Sequence, residues 1–237
     1  RALDALHHVD PPPAAHKVRE LFYNLFTFED HTLHFYFLGG PDFIVGPGAP
    51  AAERNVVGVI KKVGLEIGGK VIAARKQARS FMAEMAGKAI HPVFGLPGGV
   101  SKPMTIATVD ALRKAAPGFV DFALFSLQAF ADIVLKNQAY VDTILAGHYT
   151  HRTHYMGTVD PGGKVNFYRG QLRVIDPSGK RLCQFEPHEY LDYIAEEVRP
   201  WSYMKFPFIR SLGPAKGWYR VGPLARINTC DFIDTPL

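Results

Sequence analysis

The sequence predicts a mainly α-helical fold, a long-helix bundle with a small antiparallel β insert at about residues 154–185. Three observations predict it. Before residue 147 the apolar residues recur with helical periodicity over long stretches. After it the texture changes to short β-branched and aromatic runs punctuated by Pro and Gly turns. The composition, 47% hydrophobic against 21% charged over 237 residues, is too apolar for disorder and sufficient for a large core. The elements read as a single domain, 1–237, with a helical core 1–147, the β insert 154–185, and a helix and irregular segment 186–237.

In chain order, Pro11-Pro12-Pro13 marks a helix start, and Ala14 to Leu38 contains neither Pro nor Gly. Val18, Phe22, Phe26, Asp30, His34 and Leu38 recur every four residues, with Leu21, Leu25, Leu33 and Phe37 alongside. A helix of roughly 25 residues, about 37 Å long, therefore has one apolar face, with Asp30 and His34 inside it. Gly39-Gly40-Pro41 ends the helix, and 41–52 is a Pro/Gly-rich loop. A second helix runs from about Glu66 to Ala86, with Ile67, Val71, Ala74, Ala78, Phe81, Met82 and Met85 inward and Arg75, Lys76 and Arg79 outward. Gly87 closes it, and His91 to Val100, with two prolines and three glycines, is a shaped loop. Thr105 or Thr108 caps a short helix to about Ala115, and Pro117-Gly118 interrupts. Phe119 to Leu145 is helical and apolar on more than one face, as befits the middle of a bundle. Asp160-Pro161-Gly162-Gly163, Arg169-Gly170 and Asp176-Pro177-Ser178-Gly179 are hairpin turns within the β insert. Glu186-Pro187 opens a helix to about Val198, the remainder is irregular, and no internal repeat is visible.

With 27 Lys and Arg against 22 Asp and Glu, the net charge of +5 is too mild for a nucleic-acid grip. The two cysteines, Cys183 and Cys230, form no CxxC pair, so neither a disulfide framework nor a thiolate metal site is built from them. That usage fits a reducing, cytoplasmic compartment. No apolar run reads as long enough to cross a bilayer, so no transmembrane segment is expected. The opening at Arg1-Ala2-Leu3-Asp4 and the end at Asp234-Thr235-Pro236-Leu237 read as cuts in a longer sequence.

Asp30 and His34 are the strongest local chemical signal: a carboxylate beside an imidazole on an apolar stripe can orient a cation or pass a proton, or simply satisfy itself as a buried polar pair. Both readings stay open, and His31 is read as exposed. The His91–Val100 loop fits neither the P-loop pattern nor GxGxxG and reads as a tight turn. His148, His151 and His154 straddle a helix end and read as solvated loop histidines rather than metal ligands. The basic, aromatic segments Lys205–Arg210 and Trp218–Arg220 read as packed chain or a subunit interface rather than a nucleic-acid site. No Ser/His/Asp set, zincin motif or dinucleotide fingerprint is present.

Several segments, in order, carry a family likeness: Asp30-His31-Thr32-Leu33-His34-Phe35-Tyr36, Pro41-Asp42-Phe43, Arg54-Asn55-Val56-Val57-Gly58, and Gly87-Lys88-Ala89-Ile90-His91-Pro92-Val93 with Pro97-Gly98-Gly99-Val100. Further on come Phe167-Tyr168 before Leu172-Arg173-Val174, Pro200-Trp201-Ser202-Tyr203 with Lys205-Phe206-Pro207, and Arg220-Val221-Gly222-Pro223-Leu224-Ala225-Arg226. Together they resemble the large, catalytic subunit of nickel-iron hydrogenases, of the cytoplasmic bidirectional or F420-non-reducing type, over essentially the whole chain.

The resemblance implies an oxidoreductase that reversibly oxidises H2 to protons and electrons, passing the electrons to an iron-sulfur small subunit, with possible further electron-transfer subunits. It implies a nickel-iron centre with carbon monoxide and cyanide ligands, and magnesium, in the full-length protein. The four cysteine ligands come from two CxxC motifs outside this chain, so the chain is an internal fragment that holds none of these groups and is inactive alone. Asp30 then matches an acidic residue that orients an active-site arginine lying outside the chain, His91 lies near the partner's cluster, and His34 is structural. Lys102 and Arg226 receive no role. Two alternatives stand behind this: the quinone-site subunit of a complex I-type oxidoreductase, which shares the Pro-Gly-Gly-Val turn, and a non-catalytic helical scaffold that docks an iron-sulfur subunit.

Overall fold

The computed structural model describes residues 2–234; the reading of Arg1 and of Thr235-Pro236-Leu237 as cut ends lies outside them. Where the sequence reads as one domain, the chain divides into two compact units, 1–147 and 148–237.

The first unit is helical. Helix α1 (Ala2–Leu6) precedes α2 (Pro13–Leu33), which starts on a proline where a missing N–H costs nothing. The buried residues of α2 are Ala15, Phe22, Leu25, Glu29 and Thr32, and Tyr36 continues the series just beyond its end. The four-residue stripe read from the sequence is not the buried face: Phe26, Asp30, His34 and Leu38 are exposed. The reason is rotational. A step of four residues advances about 400°, so every step turns the stripe about 40° around the helix, and five steps carry it to the opposite side. Alternating steps of three and four, as in 22, 25, 29, 32 and 36, keep one face inward.

Gly39-Gly40-Pro41 does not stop the chain. The backbone widens into π-helical turns at His34–Gly39 and Pro41–Val45, passing the proline, which has no N–H to give, without unwinding. A Cβ on Gly40 would stand 2.8 Å from the Phe35 carbonyl oxygen, so the widened turn closes on a glycine. Helix α3 (Val56–Val63), absent from the sequence reading, is capped by Asn55, whose side chain accepts from the N–H groups of Val57 and Gly58. Helix α4 (Leu65–Ala86) ends at Gly87 in a left-handed conformation. Its Val71, Ala78, Met82 and Met85 are buried, but Arg75, expected outside, turns inward.

Strands β1 (Gly95–Leu96) and β2 (Gly99–Val100) make a hairpin around Pro97-Gly98, with Gly98 at φ 75°. Helix α5 (Ile106–Phe130) begins on Thr105, which accepts from the Thr108 N–H, and runs straight through Pro117 rather than breaking there. A π-helical turn, Ala131–Leu135, extends it, and α6 (Gln138–Leu145) follows. From Ile106 to Leu135 the helix spans 30 residues and is long and apolar enough, by length and composition, to cross a membrane. This corrects the expectation that no such run exists, which came from breaking the segment at Pro117. The unit's core joins Phe22 and Leu25 of α2, Met82, Met85 and Ala86 of α4, Phe94, and Leu112 of α5.

In the second unit β3 (His154–Val159), β4 (Gln171–Ile175) and β5 (Arg181–Phe185) are antiparallel neighbours. The Asp176 carboxylate ties the β4–β5 turn by accepting from the N–H groups of Ser178 and Lys180. The expected helix from Glu186 to Val198 is only a short 3-10 turn (Pro187–Glu189) and α7 (Tyr190–Tyr193). The chain then extends as β6 (Ile194–Val198), which pairs with β7 (Lys205–Ile209). Pairing partners distant in sequence override a weak helical pattern here. The tail is not irregular: α8 (Gly213–Lys216) leads to β8 (Tyr219–Arg220), which adds to β3 in parallel, and α9 (Pro223–Thr229) packs on β3. Met156, Val174, Phe185 and Ile209 form the core of this unit.

Candidate functional site

Helix α2 presents its acidic residues in two directions. Glu29, buried, faces α4, where Arg75 donates to its Oε1 from Nε at 3.1 Å and from Nη2 at 2.5 Å, and Arg79 stands 3.6 Å away. The Arg75 guanidinium also lies over the Phe37 ring, 4.7 Å from its centroid. The buried carboxylate of this helix is therefore Glu29, one residue before the one the four-residue stripe selected. Asp30 points the other way: its side chain keeps 52% of its surface, and His31 Nδ1 lies 3.7 Å from it. His34 is exposed as well, so Asp30 and His34 do not form a buried pair.

A second charged cluster joins three segments of the first unit. Asp4 accepts from Arg19 Nη1 at 2.6 Å and Nη2 at 3.3 Å, and from the Gly98 N–H at 2.8 Å. Arg19 Nη2 in turn donates to the carbonyls of Leu96 and Gly99, both at 2.6 Å. The Arg19 hydrogen bonds and the Gly98 amide hold the Asp4 carboxyl well below the usual carboxylate range, against the opposing effect of burial. The glycine turn thus does hold an anion, and the anion is the chain's own α1. Sequence reading missed this cluster because its members are 15 and 94 residues apart.

His91, at the mouth of this loop, is exposed and adopts φ 53°, a left-handed conformation uncommon for a residue with a Cβ. Lys102 donates to the Glu84 carbonyl oxygen at 2.6 Å, a structural bond. In the second unit His151 Nδ1 accepts from Arg220 Nε at 2.8 Å, and the Arg226 guanidinium lies over Phe167. His148, His151 and His154 do not assemble: among the described residues no group of three or more His, Cys, Asp or Glu side chains comes together to hold a metal ion. Cys183 and Cys230 are unpaired with one another, and burial pushes the Cys183 thiol up, away from the thiolate a metal needs.

An apolar cavity of about 430 Å³ lies within the first unit, lined by Phe35, Tyr36, Phe43, Ile67, Phe125 and Phe130 among others. All three π-helical segments border it. Its polar lining residues are His34, Tyr36, Gln128 and Asp132; Tyr36 is hydrogen-bonded to Ser126 at 2.9 Å, and Gln128 donates to Asp132 at 3.0 Å.

No family model matches the chain. Individual proteins do. Over its whole length the chain is 43% identical to an iron-sulfur subunit of the F420-non-reducing hydrogenase of Archaeoglobus profundus, covering 50% of that protein. It is 41% identical over its whole length to a vhu-type F420-non-reducing hydrogenase subunit of Methanocaldococcus jannaschii, covering 55% of it. Over 95% of its length it is 33% identical to the NAD-reducing hydrogenase HoxS subunit beta of Cupriavidus necator, covering 46%. A crystal structure of an NAD+-reducing [NiFe]-hydrogenase in the H2-reduced state superposes with a TM-score of 0.87 at 32% identity, over 99% of this chain and 51% of that one.

These relatives correct the family reading. The expectation was the large, catalytic, nickel-binding subunit; the Archaeoglobus relative is an iron-sulfur subunit and the Cupriavidus relative a subunit beta, so the assignment to the large subunit falls with its nickel emphasis. The chain spans about half the length of the curated relatives it matches, and throughout that span what it is similar to is a hydrogenase subunit.

Proposed function

We propose that this chain is a segment of a hydrogenase iron-sulfur subunit, working within a multisubunit complex that carries electrons taken from H2. The observation that carries the reading is continuous identity of 41–43% across the whole chain with subunits of two F420-non-reducing hydrogenases, supported by the superposition on an NAD+-reducing hydrogenase. The quinone-site and scaffold alternatives fit these relatives no better. A cytoplasmic location goes with the reading.

The residues of this chain do not fit an iron-sulfur cluster by themselves, because such clusters take four cysteine thiolates and the chain has two cysteines. The segment's contribution is structural and electrostatic. Its helices are locked by Glu29 to Arg75 and by Asp4 to Arg19, while Asp30 faces outward as a carboxylate available to a cation supplied from outside this chain. Asp30 in this reading is a positioning residue, His34 belongs to the same outward face, and His91 lies on the loop that meets the electron-transfer partner.

The test is H2-dependent reduction of a viologen dye by the assembled complex containing the longer polypeptide. Dye reduction that requires H2 supports the reading; an intact complex that oxidises NADH with a quinone and ignores H2 removes it. Asp30→Ala in that complex is expected to lower turnover and shift its pH profile while leaving assembly of the complex unchanged. Wild-type turnover and pH profile in the variant would remove the Asp30 role alone.

A further inference from the structure

The cavity of about 430 Å³ in the first unit is built from backbone that departs from the ordinary helix. The π-helical turns His34–Gly39, Pro41–Val45 and Ala131–Leu135 come from distant parts of the chain, and all three line it. A π-helical turn is rare and widens the helix, so three of them converging on one space shape that space. Its walls are rings: Phe35, Tyr36, Phe43, Phe125 and Phe130. Their contacts fix them in place. Phe35 meets Tyr36 edge-on at 4.8 Å, and Phe43 meets Tyr140 edge-on at 5.5 Å, where the Tyr140 hydroxyl donates to the Phe43 carbonyl oxygen at 3.0 Å. Phe43 and Phe130 still keep 41% and 36% of their surfaces exposed, so these rings are only partly covered by the chain itself.

The polar lining is balanced in charge. His34, Gln128 and Asp132 are its exposed members; Gln128 donates to Asp132 at 3.0 Å, and Lys136 Nζ stands 2.6 Å from the same carboxylate. Lys136 and Gln128 hold the Asp132 carboxyl below its usual range, so it stays anionic at neutral pH with its charge already matched. The buried Tyr36 hydroxyl is engaged with Ser126. A ligand carboxylate or phosphate would face the Asp132 charge, and a ligand cation would have to displace Lys136.

We propose that the cavity is a binding site for a neutral, flat aromatic molecule of about two fused rings, carrying no more than one hydrogen-bonding group. Its volume falls in the range of ligand sites, about 300–1,000 Å³, and an apolar wall with a few polar groups is their usual make-up. Five aromatic side chains favour a ring over an alkyl chain, because rings pack on rings edge-to-face or offset. The exposed His34 imidazole can give or take the one hydrogen bond.

The experiment titrates 2-naphthol into the assembled complex containing the longer polypeptide, by isothermal calorimetry at pH 7, beside 2-naphthoate and 1-octanol. Saturable binding of 2-naphthol with a Kd of about 100 μM or tighter is expected of a small ring in a preformed cavity, with the carboxylate and the alkyl alcohol each at least ten-fold weaker. Ala129→Phe adds a ring at the cavity lining and is expected to weaken 2-naphthol at least ten-fold. Should that variant fail to fold, hydroxyl-radical footprinting of wild-type Phe43 and Phe130 locates the ligand without substitution, and 2-naphthol is expected to protect both. Absence of saturable binding overturns the proposal. So does equal affinity for 2-naphthoate, equal affinity for 1-octanol, or saturable binding that leaves Phe43 and Phe130 unprotected. Binding is read without H2 or dye, so it stands or falls apart from the electron-carrying role.

Discussion

Replacing Asp4 by alanine removes the acceptor of three hydrogen bonds at once, two from Arg19 and one from the Gly98 N–H. Breaking one partner out of a buried ion pair costs about 3–5 kcal/mol when the survivor is left uncompensated. Here Arg19 keeps the carbonyls of Leu96 and Gly99, and each side chain retains 11% of its surface for water, so the expected loss falls to about 2–3 kcal/mol. Asparagine is no rescue. Both Asp4 oxygens accept, so an amide must turn its NH2 either toward Arg19 or toward the Gly98 N–H, and Asp4→Asn is expected within about 1 kcal/mol of Asp4→Ala.

The assay must read the correct unit. Trp201 and Trp218 both lie in the second unit, so tryptophan fluorescence is blind to Asp4; helical ellipticity during urea unfolding reports the first. A loss of this size moves the midpoint by about 1 M urea or more. The pH dependence has a fixed sign. The folded state holds the Asp4 carboxyl below its unfolded value, so its contribution is complete above about pH 4 and is lost as pH falls toward the folded value. The gap between wild type and Asp4→Ala should stay constant from pH 7 to pH 5, then narrow by up to about 1.4 kcal/mol per pH unit below pH 4. Equal midpoints at pH 7, or a gap that is the same at pH 3 as at pH 7, would refute the role given to this cluster.

In the second unit, Phe185 is 2% exposed and stacked on Tyr193, with ring centroids 4.2 Å apart. Phe185→Ala should cost about 3–5 kcal/mol, read as an earlier tryptophan fluorescence transition; a loss under about 1 kcal/mol would mean the site collapses around the cavity. Gly157→Ala would place a Cβ 2.1 Å from the buried Thr229 hydroxyl oxygen and 3.2 Å from the Arg226 Cα, and should destabilise by about 1–3 kcal/mol. Adding Thr229→Ala should recover part of that loss, and strict additivity in the double-mutant cycle would show that the clash is relieved by backbone movement instead.

Local signals carried some elements and misled on others. Pro13 at the start of α2, Thr105 before α5 and Gly87 after α4 act through bonds within a few residues, and each reads directly from the sequence. Pro117 and Gly39-Gly40-Pro41 are equally local signals, yet the helical path persists through both, each proline giving up one N–H hydrogen bond rather than ending the helix. The segment Ile194–Val198 fits a helix taken alone and becomes a strand because Lys205–Ile209 pairs with it. At the candidate site, one carboxylate on an apolar helix, Asp30, was read from the sequence, and Glu29 was passed over. Which of Glu29 and Asp30 faces inward was not legible, since that depends on the phase of the helix against α4 and on Arg75, 46 residues away.

By itself the sequence determined that Pro13–Leu33 and Leu65–Ala86 are helical, that hairpin strands follow residue 154, the positions of several caps and turns, and a segment-by-segment likeness to hydrogenases, because these depend on residue identity and short spacing. Only the tertiary structure decided that Glu29 is locked and Asp30 faces out, and that the Pro-Gly-Gly turn clasps Asp4. Each of those depends on side chains brought together from distant positions, and the free energy that chooses among them comes from burial and pairing that no local window contains.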